Sequence, residues 1–198
     1  MKAYIVEQKI TVLANQYLVY EIDQSGQKSN LVAFAQQKRL AFKEEINFYT
    51  DDTKSSIAFS VKAEKVMDIH GRFLVKDKEG KPLGAVKKVF GSSFLRSTWE
   101  VFDSKDAVAA TVTEKSAGLA IFRRVWGFIP FISELPFFFK YDFVFLKPGT
   151  QDVLANYIKT TRFRDHYRLE ILNDGLIGQV GWQTLVAQAV MLDALQGR

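Results

Sequence analysis

The sequence predicts a mainly β fold, a closed antiparallel barrel of about twelve strands around a buried C-terminal helix. Three observations predict it. First, the run Trp182 to Gln196 is apolar on every side of a helix. At ~100° per residue, Trp182, Leu185, Val186 and Val190 take one side, Ala187, Met191 and Leu195 another, and Leu192 a third. Its polar residues, Gln183, Thr184, Gln188 and Asp193, form no stripe. Fifteen residues at ~1.5 Å each reach about 22 Å, short of the ~20 residues that cross a bilayer. Such a helix belongs inside a protein core. Second, strand, acidic turn, strand recurs about every 26 residues, at Asp23, Asp51, Asp77 and Asp103, the rhythm of an antiparallel meander. Third, about twelve short strands in series suffice to close on themselves and leave no free edge.

Taken in order, Ile5 to Ile22 reads as two strands carried by Ile10, Val12, Tyr17, Val19 and Tyr20, with Ala14-Asn15-Gln16 as the break. Asp23-Gln24-Ser25-Gly26 is a turn, because Asp bonds its own backbone two residues on and Gly accepts positive φ. Leu31 to Phe34 resumes the strand pattern, and Gln36 to Lys43 fits either helix or strand. Glu45 to Tyr49 and Ile57 to Val61 form a hairpin across Asp51-Asp52-Thr53-Lys54. Arg72 to Lys76 and Leu83 to Phe90 flank Asp77-Lys78-Glu79-Gly80, with Pro82 at a strand start, where its missing N–H does least harm. Thr98 to Phe102 and Ala107 to Val112 flank Asp103-Ser104-Lys105-Asp106. Tyr141 to Leu146 precedes the turn Lys147-Pro148-Gly149-Thr150. Tyr167 to Leu172 and Leu176 to Val180 flank Asn173-Asp174-Gly175 as a final hairpin. Ser116 to Trp126 departs from this pattern and predicts an amphipathic helix, with Leu119, Ile121, Phe122 and Val125 apolar and Arg123-Arg124 polar. The apolar segment after it, Gly127 to Phe139, is interrupted by two prolines and Glu134, which argues against a bilayer span.

Composition removes several function classes. The 198 residues contain no Cys and only two His, His70 and His166. That excludes disulfides, thiolate metal sites, a Cys nucleophile and palmitoylation, and leaves a zinc site dependent on carboxylates. A net charge of +5 favours anionic partners. The N-terminal Met1 to Glu7 lacks the apolar core of a secretory signal, which predicts a cytoplasmic protein. The length is that of one domain spanning 1–198. No HExxH, GxSxG or phosphate-loop motif occurs, and Gly175, Gly178 and Gly181 have the wrong spacing for a dinucleotide loop. Those glycines suit a hairpin and a tight entry into the core helix. The Asp51-Asp52 turn lacks the spacing of a calcium loop. No catalytic residue, metal site or cofactor is therefore expected.

Longer blocks carry a resemblance. Gln37 to Tyr49, Phe73 to Gly84, Ser97-Thr98-Trp99 and Arg123 to Pro130 look like bacterial members of the tubby C-terminal-like superfamily, which includes the LURP-one-related proteins and the phospholipid scramblases. The resemblance implies a twelve-stranded antiparallel barrel closed around a buried C-terminal helix, and it implies activities that differ across the superfamily: phosphoinositide binding in tubby proteins, a lipid-scrambling role in scramblases and defence-related roles in the plant proteins. No phosphoinositide ligand of the tubby proteins transfers residue by residue to this chain, and the Cys-rich lipidation motif of the scramblases is absent.

A barrel filled by its own helix has no room for a small molecule, so function is expected on the outer surface or the rims. The sharpest feature there is Arg162 to Arg168. On a strand of period two, Arg162, Arg164, His166 and Arg168 share one face, with Phe163, Tyr167 and Leu169 on the other. Arginines in a row can hold phosphate; the competing reading is a solvated face neutralised by neighbouring acids. Arg123 and Arg124 beside the Phe-rich segment suit an interfacial anchor, or a helix packed on one barrel end. The expectation is a non-enzymatic barrel that binds anionic lipid headgroups peripherally, at the inner membrane face, through Arg162, Arg164 and Arg168 with help from Arg123 and Arg124. The alternative is an interaction module that docks a protein partner through 128–139. Nucleic acid is not expected, because no exposed aromatic row interleaves with the basic one.

Overall fold

The computed structural model describes residues 2–10, 14–38, 45–64, 71–89, 97–115, 142–161 and 166–196. Twelve strands follow one another along the chain: β1 (Lys2–Ile10), β2 (Ala14–Ile22), β3 (Lys28–Lys38), β4 (Glu45–Tyr49), β5 (Ile57–Ala63), β6 (Arg72–Asp77), β7 (Pro82–Val89), β8 (Thr98–Asp103), β9 (Val108–Glu114), β10 (Phe143–Leu146), β11 (Val153–Lys159) and β12 (His166–Ile171). Each pairs antiparallel with its sequence neighbours, and β1 pairs with β12, from Lys2 opposite Ile171 to Glu7 opposite His166. The predicted closed barrel is therefore what forms, and no edge strand is left open.

One end of the barrel is built from tight turns of a single design. Asp23 Oδ1 accepts the backbone N–H groups of Ser25 and Gln27, Asp77 Oδ1 those of Glu79 and Lys81, and Asp103 Oδ1 those of Lys105 and Ala107. Three residues after each Asp the backbone is left-handed, at Gly26 (φ 81), Gly80 (φ 83) and Asp106 (φ 69), and likewise at Lys54 (φ 61) after Asp51. Glycine takes this conformation freely, and a short polar side chain tolerates it. The recurrence read in the sequence is this local chemistry at Asp23, Asp77 and Asp103, and at Asp51 the carboxylate accepts the Thr53 and Ser55 hydroxyls instead.

After β12 the chain enters α1 (Asp174–Gln196), kinked at Gly181 (φ 74, ψ 155). Its first part lies at the turn end; beyond the kink, every residue from Thr184 to Ala194 is buried. The core is this helix plus the inward faces of the strands, for example Tyr4, Val6, Tyr17 and Val19 on β1 and β2, and Tyr167, Leu169 and Ile171 on β12. Helix and sheet approach closely at Gly84, where an added Cβ would lie 3.1 Å from Thr184 and 2.4 Å from the Phe102 carbonyl. Trp182, at the entry, stacks on Tyr4 (centroids 6.0 Å apart) and meets Phe59 edge-on at 5.6 Å.

Three expectations fail. Leu176 to Val180 is helix, not the second arm of a hairpin. Asn173 Oδ1 accepts the Gly175 N–H at 2.8 Å, so Asn173-Asp174-Gly175 starts a helix by capping it and does not turn a strand back. Strand β11, at 153–159, goes unread in the sequence, so a count of twelve came out right with one member misplaced. Ala14-Asn15-Gln16 is no break, because it opens β2. Gln36 to Lys38 completes β3. Residues 39–43, the predicted helix 116–126 and the segment 128–139 lie outside the described residues.

Candidate functional site

Of the five arginines singled out, Arg168 alone lies among the described residues; Arg123, Arg124, Arg162 and Arg164 lie outside them. Along β12 the alternation is as predicted: Tyr167, Leu169 and Ile171 are buried, while His166, Arg168 and Glu170 face out and are half-buried. Arg168 Nε lies 2.9 Å from Glu170 Oε1 on the same face, the two side chains 36% and 22% exposed. Its charge is thus already matched on its own strand.

Cross-strand register gives Arg168 an apolar setting. It stands opposite Ile158 on β11 and Ile5 on β1, and Ile5 stands opposite Tyr20 on β2. One tier away, His166 is opposite Glu7, whose carboxylate pairs with Lys28 Nζ at 2.9 Å, and that Lys28 ammonium sits 4.0 Å from the centre of the Tyr20 ring. The outer face of β11, β12, β1 and β2 is therefore aliphatic and aromatic surface crossed by paired charges. A guanidinium so placed can accept a second anion, since Arg offers five donors and a carboxylate occupies only part of the fork.

The two sets of connections between the strands differ in charge by sequence. The connections at 23–27, 50–56, 77–81, 103–107, 147–152 and 172–174 hold nine acidic and five basic residues, Asp51, Asp52, Asp103 and Asp106 among them. Strand ends at the opposite end are joined through 11–13, 39–44, 65–70, 90–96, 116–141 and 162–165, which by sequence hold nine basic and four acidic residues. By sequence, the positive excess of the chain falls in this second set of connections, which contains Arg123, Arg124, Arg162 and Arg164. At the acidic end, hydroxyl donors from Thr53 and Ser55 pull the Asp51 carboxyl down to about 2, and Asp23 and Asp103 are lowered chiefly by Ser25 and Gln179.

Sequence reasoning missed a buried polar group toward the end opposite the acidic turns. Asp193, on the last turns of α1, accepts a hydrogen bond from the Tyr167 hydroxyl at 2.7 Å and one from the Tyr17 hydroxyl at 3.0 Å. Gln8 Nε2 donates to Tyr17 Oη at 3.2 Å, Tyr157 stacks on Tyr167 with centroids 4.9 Å apart, and Lys159 Nζ stands 5.8 Å from the Tyr167 ring centre. Glu114 and Lys159 are buried at inward positions of β9 and β11. The available signal was parity: once the strands are in register, Gln8, Tyr17, Glu114, Lys159 and Tyr167 fall on inward positions near strand ends, where an apolar residue would be expected. At the other end of the helix, burial pushes the Tyr4 phenol up to about 12, with the Glu21 carboxylate adding to it.

A closed antiparallel meander threaded by its own C-terminal helix defines a barrel module of the tubby-like kind. The chain belongs to the LURP-one-related family, whose model matches residues 31–193. Comparison with curated proteins finds none that matches. No helix among the described residues is long and apolar enough to cross a membrane.

Proposed function

We propose that this protein is a non-enzymatic barrel that binds anionic phospholipid headgroups at a membrane surface, end-on, with its basic end toward the lipid. The carrying observation is the charge contrast, by sequence, between the two sets of connections, nine acidic against five basic residues in the turns and nine basic against four acidic in the others. A body charged this way is turned by an anionic surface before it touches it, and each Lys or Arg near that surface adds about 1 kcal/mol. Arg162 and Arg164, with Arg123 and Arg124, belong to the basic connections, and Arg168 stands on the adjoining strand. The Arg168–Glu170 pair makes Arg168 the weakest contributor of the five.

The test is vesicle co-sedimentation with anionic and with neutral liposomes, at low and high salt. The wild type is compared with Arg162→Ala/Arg164→Ala, with Arg123→Ala/Arg124→Ala, and with Asp51→Asn/Asp52→Asn at the acidic end. Binding should require anionic lipid, weaken with salt, fall in both arginine variants and persist in the aspartate variant. Equal binding to neutral vesicles, or none under any condition, rejects the reading. Capture of a protein partner that depends on 128–139 would then favour an interaction module.

A further inference from the structure

We propose that the barrel interior contains a built site for ordered water between α1 and β7, held by the Thr184 hydroxyl and the Gln188 side-chain amide. Both residues are 0% exposed. Among the described residues, neither Thr184 Oγ1 nor Gln188 Nε2 or Oε1 has a hydrogen-bond partner. Two residues four apart on a helix lie on one face, one turn from each other, and Thr184 faces β7, as its closeness to Gly84 shows. The unmatched hydroxyl and amide are thus neighbours along one seam. On the same helix Asp193, buried to a similar degree, has two donors. Asp193 shows that this helix can bury a polar group by pairing it, and the Thr184–Gln188 seam differs from it in that respect.

The chemistry of the seam selects its occupant. A primary amide offers two donors and an acceptor, and a hydroxyl offers one donor and two lone pairs. Both are neutral, so nothing here neutralises a cation or an anion. An apolar occupant would leave all three atoms unmatched, at the cost of their desolvation. Water satisfies donors and acceptors together and needs two to four polar partners, which side chains one helical turn apart supply.

The test is a high-resolution crystal structure of the full chain, with thermal melts of Gln188→Met and Thr184→Val, replacements close in shape without the polar atoms. Density for a water within hydrogen-bond distance of Thr184 Oγ1 and the Gln188 amide supports the site, and Gln188→Met should then lose that density and melt no higher than the wild type. A seam without water overturns the proposal. In that case Gln188→Met should melt several degrees higher, because it removes an unpaired amide from a dry core. If Gln188→Met fails to fold, the wild-type density and the Thr184→Val melt decide the question.

Discussion

Asp193 is expected to anchor the end of the core helix, and its removal should cost more than any surface change. Its carboxylate is 9% exposed and takes the Tyr167 hydroxyl at 2.7 Å and the Tyr17 hydroxyl at 3.0 Å. These donors come from β12 and β2, the two neighbours of β1, so the group ties the helix across the seam that closes the barrel. A hydrogen bond to a charged group contributes about 1.5–3 kcal/mol, and a buried donor left without an acceptor costs about 1–3 kcal/mol. Asp193→Ala removes the carboxylate acceptor from two phenol hydroxyls, and Tyr17 keeps its contact with Gln8. The expected loss is about 3 kcal/mol, with about 1.5–3 kcal/mol for Tyr167→Phe. Asp193→Asn keeps an acceptor oxygen and should fall between Asp193→Ala and the wild type. Equilibrium urea unfolding at constant m-value measures these differences. The double variant Asp193→Ala/Tyr167→Phe should lose less than the sum of the single losses, by about 1 kcal/mol or more. Additive losses, or an Asp193→Ala chain within about 0.5 kcal/mol of the wild type, would refute the anchoring role.

Further outcomes follow from the backbone, the turns and the filling of the barrel. Gly181→Ala forces a side chain onto φ 74, ψ 155 and should cost about 1–3 kcal/mol in the same assay, whereas Gly178→Ala, with open space around its Cβ, should be neutral or stabilising by under about 1 kcal/mol. Gly84→Ala drives a methyl against the Phe102 carbonyl and should cost about 1–3 kcal/mol, with no rescue by Thr184→Ala because the clash is with backbone. The Asp51 carboxyl, lowered to about 2 by Thr53 and Ser55, binds its proton less readily folded than unfolded. Its stabilising contribution is complete above the ordinary carboxylate value of about 3.9 and disappears as pH falls toward about 2. Asp51→Asn should therefore flatten the urea midpoint between about pH 4 and 2, and an unchanged slope would show that the turn does not couple to folding. Deleting 182–198 removes the buried stretch from Thr184 to Ala194 and should abolish the cooperative thermal transition; a sharp melt in the truncated chain would show that the helix is not core.

What the sequence by itself determined is whatever rests on near neighbours. The acidic turns were legible because an Asp that accepts N–H groups two and four residues on, followed at the third position by a left-handed residue, is complete within five residues. The core helix was legible because its apolar residues leave no polar side to face water. Local patterning misled where two structures share a composition. Asn173-Asp174-Gly175 serves a hairpin or a helix start equally well, and the side chain of Asn173 settles it only when Leu176 to Val180 has somewhere to pack. Only the tertiary structure decided which polar residues meet. Asp193 and Tyr17 are 176 residues apart and touch because β1 closes on β12. Register alone put Ile5 and Ile158 beside Arg168. Its pairing with Glu170, two residues along one strand, was open to the sequence in principle, but only side-chain geometry shows it. Contacts between distant strands depend on the closure of the whole sheet, and no short stretch of the chain carries that information.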